Sequence, residues 1–251
     1  YDYTNAKLVD ESDIDMILVG DSLGMTMLGY HGTVGVTLDD MIYHAKHVVK
    51  GAPNTFVIGD MPFGTYNVSI EEAVRNANKL FMESGCDCIK LEGGSDMAPV
   101  IKAIVKAGIP VCAHIGLTPQ SAAMMGGFKV QGKSLEAAQE LLDSARAVEE
   151  AGAFMVVLEG IPKMLADVIT EKLSIPTMGI GAGAGCDMQV LVAQDMLGMN
   201  EWVPKFVKKY ADLHKIIIDA YNQYVKESNE RTFPDHDTQY NAVIEGIENL
   251  K

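Results

Sequence analysis

Charged and polar side chains stand at the ends of successive apolar runs in this 251-residue chain. Six such residues occur: Asp21, Asp60, Lys90, Glu92, His114 and Glu159. A single one of them would be read as a helix cap, a solvated turn or a satisfied core residue. Because the carboxyl ends of parallel strands meet on one rim of a barrel, six in succession favour a shared site.

The residue types indicate what that site could do. Asp21 and Asp60 would face each other across neighbouring strands, and two carboxylates in a cleft need a counter-charge. Oxygen ligation with room for water suits Mg²⁺. Lys90 and Glu92 are two residues apart and project to one side of a strand, so the lysine can bind an anionic carboxylate while Glu92 reaches the metal through water. Glu159 is placed as a separate acid or base.

The elements that carry these residues alternate between strand and helix. Most of the apolar runs lack strict polar alternation, as expected for parallel strands covered on both faces. Repeated strand–helix order predicts a parallel sheet with right-handed crossovers. The predicted strands are Met16–Val19, Thr55–Ile58, Asp87–Leu91, Pro110–Ala113, Phe154–Leu158, Pro176–Ile180 and Gln189–Gln194.

We predict a (β/α)₈ TIM barrel over residues 1–210, followed by a C-terminal helix and tail over 211–251 that pack on the same domain. A closed barrel needs about eight strands, one more than the sequence offers. Because a helix-like segment lies around Ala6–Glu11, the missing first strand is expected upstream of Tyr1. An open doubly wound sheet with no missing strand is the alternative.

Composition limits the partners. A net charge of −14 argues against nucleic acid and anionic membranes. No apolar run approaches the roughly 18 residues of a membrane span. The four cysteines lack disulfide-framework or metal-type spacing, which favours a reducing compartment.

Several motifs carry a family resemblance, and they occur in the family's order over nearly the whole chain to about residue 210. The stretches are VGDSLGM, GDMPFGTY, IKLEGG, AHIGLTPQS, GGFKVQG, GIGAG with CD, and VPKFVKKY. Through them the chain resembles the ketopantoate (3-methyl-2-oxobutanoate) hydroxymethyltransferase family. The resemblance implies a barrel related to the phosphoenolpyruvate and isocitrate lyase enzymes. It also implies transfer of a hydroxymethyl group from methylenetetrahydrofolate to 3-methyl-2-oxobutanoate through a Mg²⁺-stabilised enolate, giving 2-dehydropantoate for pantothenate and coenzyme A.

The resemblance also assigns roles to residues. It implies Asp21, Asp60 and Glu92 at the metal, with Glu92 near it rather than central, and Glu159 as the proton acceptor. It further implies a cytoplasmic homo-oligomer, commonly a homodecamer in this family. The residues that it places against the substrate are Asp21, Ser22, Asp60, Lys90 and His114.

Two other functions remain open from the sequence. One is a Mg²⁺-dependent lyase or mutase acting on another 2-oxo acid; the other is a non-catalytic barrel with a binding or assembly role. The glycine-rich connection over residues 116–133 has the length of a lid or of a surface loop. Met188 stands where the family usually has glycine, and it would be strained if that position has positive φ.

Overall fold

A computed structural model describes residues 1–250 of the chain. The strands are β1 Met16–Val19, β2 Phe56–Asp60, β3 Cys88–Glu92, β4 Val111–Gly116, β5 Met155–Glu159, β6 Thr177–Ile180 and β7 Met188–Gln189. The α-helices are α1 Tyr3–Asp10, α2 Leu23–Thr26, α3 Leu38–Gly51, α4 Ile70–Ser84, α5 Ala98–Lys106, α6 Leu135–Glu150, α7 Lys163–Lys172, α8 Ala193–Met196 and α9 Leu213–Glu230.

The seven strands form one parallel sheet in chain order. The predicted α/β barrel sheet is confirmed, and the doubly wound alternative is wrong because its strand order would reverse within the sheet. Residues 1–250 contain seven of the eight strands of a closed barrel. The strand expected upstream of Tyr1 stays a prediction.

Side chains of the strands alternate between two apolar clusters. Val57, Ile89 and Val156 face the helices and belong to the larger cluster. Ile58 and Cys88 point to the other side of the sheet. The smaller inner cluster consists of Ile58, Cys88, Cys112, Met155, Val157 and Met178. This period of two fixes which residues can meet inside the sheet's concave face.

Local sequence explains where the outer helices begin and end. Thr37 and Asp40 form a reciprocal capping box at the start of α3. The Ser69 side chain caps α4 by accepting from the Glu72 N–H, and Gly85 ends that helix in the left-handed region. These caps fix the crossover helices that separate β1, β2 and β3.

The chain divides into two compact units, Tyr1–Leu191 and Val192–Lys251. The first contains the whole sheet, and the second contains α9, which lies within residues 211–251, where a C-terminal helix and tail are predicted. The predicted domain boundary at residue 210 stays a prediction. Across residues 1–250, no helix combines the length and the apolar character needed to cross a bilayer.

Met188 is not strained. It lies in β7, paired with Met178, and Arg231 is the non-glycine residue with positive φ in the described part of the chain. Position 188 therefore has no left-handed backbone, and methionine fits there without strain although the family usually has glycine.

Candidate active site

Four of the predicted site residues lie two positions after residues of the inner cluster, on the same face of the sheet. Asp60 lies two residues after the inward-facing Ile58, and Lys90 lies two after Cys88. The same spacing leads from Cys112 to His114 and from Val157 to Glu159. The sheet pairing extends to these ends, with Asp60 opposite Lys90, Glu92 opposite His114, and Glu159 opposite Gly116. The observed strands are longer at this end than predicted because the site residues still pair.

Asp21, Asp60 and Lys90 form a buried charged group at the ends of β1, β2 and β3. The Asp21 backbone N–H donates to Asp60 Oδ2 at 3.0 Å. Lys90 Nζ lies 2.9 Å from Asp60 Oδ1, and the two side chains are only 4% and 1% exposed. The two aspartates therefore come together as predicted, and a lysine stands beside them.

Burial shifts the proton affinity of this group. Removal from water, with the charge of Asp60 adding to it, raises the pKa of Asp21 to about 7. Burial likewise raises the pKa of Glu92 to about 8, although the charge of Lys90 opposes the shift. Burial alone would lower the pKa of Lys90, but the negative charges of Asp60 and Glu92 outweigh it and raise that pKa. The lysine is thus protonated, and Asp21 and Glu92 keep their protons to a higher pH than ordinary carboxyl groups because one ammonium group does not offset the burial of these acids.

His114 connects this group to Glu159. Its Nδ1 lies 3.3 Å from Lys90 Nζ, and its Nε2 lies 3.2 Å from Glu159 Oε2. Burial and the neighbouring Lys90 charge lower the pKa of His114, so the imidazole is neutral at neutral pH. The tautomer that suits both neighbours carries its proton on Nε2, where it faces Glu159, and leaves Nδ1 to accept from Lys90. Glu159 is at the mouth, with its side chain 14% exposed.

Two buried side chains missed by the sequence reasoning complete the site. Gln120 Nε2 donates to Asp21 Oδ2 at 2.9 Å and to the Met61 carbonyl at 3.0 Å. The Gln120 backbone N–H donates to Glu92 Oε2 at 3.0 Å. Tyr66 donates its hydroxyl to Gln120 Oε1 and accepts from the Glu92 N–H at 3.2 Å. Both residues stand within the motifs GDMPFGTY and AHIGLTPQS, but 99 residues separate Gln120 from Asp21, so no local pattern reveals the contact.

Ser22 is held in place by the amino-terminal residue, Tyr1, rather than by the buried acids. Its hydroxyl lies 2.6 Å from the Tyr1 hydroxyl, and the Tyr1 carbonyl lies 2.7 Å from His44 Nδ1. Burial raises the pKa of the Tyr1 hydroxyl, which keeps it protonated and able to donate. Ser22 therefore presents a fixed hydroxyl beside Asp21.

A cavity of about 370 Å³ opens beside this group. Tyr66, Glu92 and Gln120 form the wall that it shares with the charged cluster, and Met124 and Met125 of the glycine-rich connection line it as well. Its volume lies at the lower end of the range for small-molecule sites, about 300–1,000 Å³.

The donor set can be tested against the predicted metal. Within the described part of the chain, no three His, Cys, Asp or Glu side chains come together in a group able to hold a metal ion. Asp21 and Asp60 supply two carboxylates, and Glu92 is engaged by the Gln120 N–H. Mg²⁺ keeps several waters and is often held by one or two carboxylates. The set therefore fits Mg²⁺, with Glu92 acting through water, and does not fit a metal that needs a closed protein cage.

Sequence comparisons identify relatives of this chain. Residues 1–236 match the sequence profile of the family described as Ketopantoate hydroxymethyltransferase. The 3-methyl-2-oxobutanoate hydroxymethyltransferase of Heliobacterium modesticaldum is 60% identical over 93% of this chain and 85% of that protein. The enzyme of the same name from Enterococcus faecalis is 53% identical over 100% of this chain and 91% of its own length.

Solved structures show the same fold at low identity. A 2,3-dimethylmalate lyase of the PEP mutase/isocitrate lyase superfamily aligns with a TM-score of 0.58 and 19% identity, covering 95% of this chain and 81% of its own. Phosphonopyruvate hydrolase, solved as a complex with oxalate and Mg²⁺, aligns with a TM-score of 0.58 and 13% identity over 94% of this chain and 85% of its own. At such identities the likeness establishes the barrel architecture alone.

Proposed function

Because the chain belongs to the ketopantoate hydroxymethyltransferase family, we propose that Asp21 and Asp60 hold a Mg²⁺ ion against bound 3-methyl-2-oxobutanoate. The enzyme transfers a hydroxymethyl group to this oxo acid, and methylenetetrahydrofolate is the proposed donor. The observation that carries the metal proposal is the buried pair of aspartates at neighbouring strand ends, with the single ammonium group of Lys90 beside them. A bound Mg²⁺ would supply Lewis-acid chemistry to the oxo and carboxylate oxygens of the substrate.

Ser22 and Lys90 are the groups that we assign to the substrate carboxylate. Lys90 is protonated and fixed between Asp60 and His114, so its charge can orient an anion without a large side-chain movement. The Ser22 hydroxyl, held by Tyr1, offers a neutral polar group next to Asp21 in the sequence. His114, which lies between Lys90 and Glu159, is the further substrate contact in this proposal.

Glu159 is the base in this proposal. His114 orients Oε2 of Glu159, and the carboxylate takes the proton from C3 of the oxo acid. The electron pair of the broken C–H bond becomes the enolate. Water replaces the two C–N bonds of the folate's methylene group, which releases the one-carbon unit as formaldehyde and leaves the folate nitrogens protonated. C3 of the enolate then bonds to the formaldehyde carbon, and the carbonyl oxygen takes a proton and becomes the new hydroxyl group. A positioned carboxylate base typically contributes about 10²- to 10⁴-fold to such a step.

Exchange of the C3 hydrogen tests the base and the metal apart from the folate. In D₂O with Mg²⁺ and no folate, proton NMR should show loss of the C3 signal of 3-methyl-2-oxobutanoate, and EDTA should stop it. Glu159→Gln should slow exchange by about 10²- to 10⁴-fold. The matched control is Glu149→Gln, because Glu149 accepts from Ser174 at the end of α6. Equal rates in Glu159→Gln and the unchanged chain would refute the assignment of the base.

Dependence on the folate separates the transferase from a lyase or mutase. Formation of 2-dehydropantoate should require methylenetetrahydrofolate and stop without it. We also propose, from the family resemblance, a cytoplasmic homo-oligomer, and light scattering of the purified chain measures its mass. Turnover of the oxo acid without folate would favour the lyase alternative instead.

A further inference from the structure

We propose that Gln120 and Tyr66 are positioning residues that fix the carboxylates of Asp21 and Glu92 for the metal. The inference rests on the proposed Mg²⁺ site and goes beyond it, because neither residue is among the ligands or the substrate contacts assigned above. Its basis is a continuous set of buried hydrogen bonds that joins the ends of β1, β3 and β4.

The orientation of the Gln120 amide is determined by its neighbours. Nε2 faces Asp21 Oδ2 at 2.9 Å and the Met61 carbonyl at 3.0 Å. The carbonyl can only accept, and so can the Asp21 carboxylate in the ionised form that would bind a metal. The amide NH₂ group has two hydrogens and donates one to each. Oε1 must therefore face the remaining neighbour, the Tyr66 hydroxyl. A reversed amide would put an oxygen against two acceptors, so one arrangement is strongly favoured.

The hydrogen bonds of Tyr66 run in the same direction as those of Gln120. Its hydroxyl has one hydrogen, which goes to Gln120 Oε1, and its oxygen accepts from the Glu92 backbone N–H at 3.2 Å. Tyr66 is 1% exposed and Gln120 is 4% exposed. Burial and the charge of Glu92 raise the pKa of Tyr66, which keeps the hydroxyl protonated as a donor. Every hydrogen in the series from the Glu92 N–H to Asp21 thus has a defined direction.

Gln120 acts on two carboxylates at once. Its side chain holds Asp21, while its backbone N–H holds Glu92 Oε2 at 3.0 Å. The residue lies in the short 3₁₀ turn Pro119–Ser121, at the start of the glycine-rich connection. The start of that connection is therefore anchored to the proposed metal site, whereas Met124, farther along, is 92% exposed.

Hydrogen-bond partners of metal ligands set ligand orientation, and losing one typically weakens metal binding by about 10- to 100-fold. Gln120→Met removes both donated hydrogens at similar side-chain length and should weaken Mn²⁺ binding by about that factor. Tyr66→Phe removes only the hydroxyl. It leaves the Met61 contact in place, so its effect should fall near the lower limit, about 10-fold.

The experiment measures Mn²⁺ affinity of the full chain by electron paramagnetic resonance, together with KM and kcat for the oxo acid. Thr177→Val is the matched control, because it removes a buried hydroxyl that contacts Asp187 at the start of β6. It should lower stability and leave Mn²⁺ affinity unchanged. Asp21→Asn shows which part of the binding belongs to the site.

The outcomes are distinguishable. Weaker Mn²⁺ binding in both variants, with Thr177→Val unchanged, supports the inference. Mn²⁺ affinity equal to that of the unchanged chain in folded Tyr66→Phe and Gln120→Met overturns it and leaves the metal site standing. If Gln120→Met does not fold, Tyr66→Phe decides alone. Absence of Mn²⁺ binding by the unchanged chain, or binding unaffected by Asp21→Asn, overturns the proposed metal site and this inference with it.

Discussion

Acidic side chains lie at both ends of the strands, but their surroundings differ. At the amino ends they accept from neutral donors. Asp187 Oδ2 accepts from the Thr177 N–H at 2.8 Å and from its hydroxyl at 3.0 Å. Asp10 accepts from the Asn54 N–H at 3.0 Å and from the Thr55 hydroxyl at 2.7 Å. The hydrogen bond from Thr55 lowers the pKa of Asp10, so this carboxylate is satisfied as an anion.

At the carboxyl ends the acids face one another. Asp21 and Glu92 are buried and their pKa values are raised, the opposite direction to that of Asp10. The carboxyl ends thus hold acids whose ionised form is disfavoured by burial, and the amino ends hold an acid whose ionised form is stabilised by neutral donors. The same residue type is structural where such donors stabilise its anion, and available for chemistry where burial raises its pKa.

Exchanging one acid for an amide at each end tests this contrast most strongly. Asp60→Asn removes a proposed metal ligand and the partner of Lys90, and should slow C3 exchange by roughly 10³-fold, since metal chemistry supplies several kcal/mol. Asp187→Asn keeps an oxygen that can accept from Thr177, so the exchange rate should not change. A similar loss in both variants would remove the distinction between the two ends.

The pH dependence of stability should also separate the ends. The pKa values of Asp21 and Glu92 are raised in the folded state to about 7 and about 8, so the folded chain binds more protons than the unfolded chain. Their contribution to the free energy of unfolding is complete below about pH 4 and is lost as pH rises to about 8. Without metal, we therefore expect the free energy of unfolding to fall as pH rises over this range.

Thermal melts from pH 5 to 9, with and without Mg²⁺, measure this effect. Mg²⁺ should oppose the fall, because it binds the deprotonated carboxylates. Asp21→Asn should reduce the slope. Asp10→Asn should leave it unchanged, because the lowered pKa of Asp10 places its titration below this window. A metal-free chain whose stability rises with pH through this window would contradict the burial argument.

The smallest expected effect is at the amino end. Thr177→Val removes the hydroxyl that bonds Asp187 and should cost about 1–3 kcal/mol. For a chain of this size the melting temperature should fall by about 2–4 °C per kcal/mol. C3 exchange should proceed at the unaltered rate. A changed exchange rate in this variant would show that the amino end also contributes to catalysis.

The sequence predicts the strands and the site residues that they carry. Asp60, Lys90, Glu92 and Glu159 could be found because each ends an apolar run, and period-two alternation places them on one face. The motifs of the resemblance added Ser22. These features are local, so a single sequence contains them.

The supporting contacts could not be predicted in this way. Gln120 contacts Asp21 across a separation of 99 residues. Tyr66 lies in the connection after β2, where no periodic pattern predicts which way a side chain points. Nor does the sequence indicate that His114 is neutral, because that follows from its burial and from the Lys90 charge. The directions of the pKa shifts arise from packing, which no local pattern specifies.

The alternation of inward and outward positions restricts the insertions and deletions that the strands can accept during evolution. Inserting or deleting one residue within β3 would turn Lys90 and Glu92 towards the helices and bring Ile89 or Leu91 inward, even though the sheet itself could still pair. Length changes are therefore tolerated in the connecting loops, and the strands can drift only by substitution. For the proposed site, the spacing between Cys88, Lys90 and Glu92 matters as much as the residues themselves.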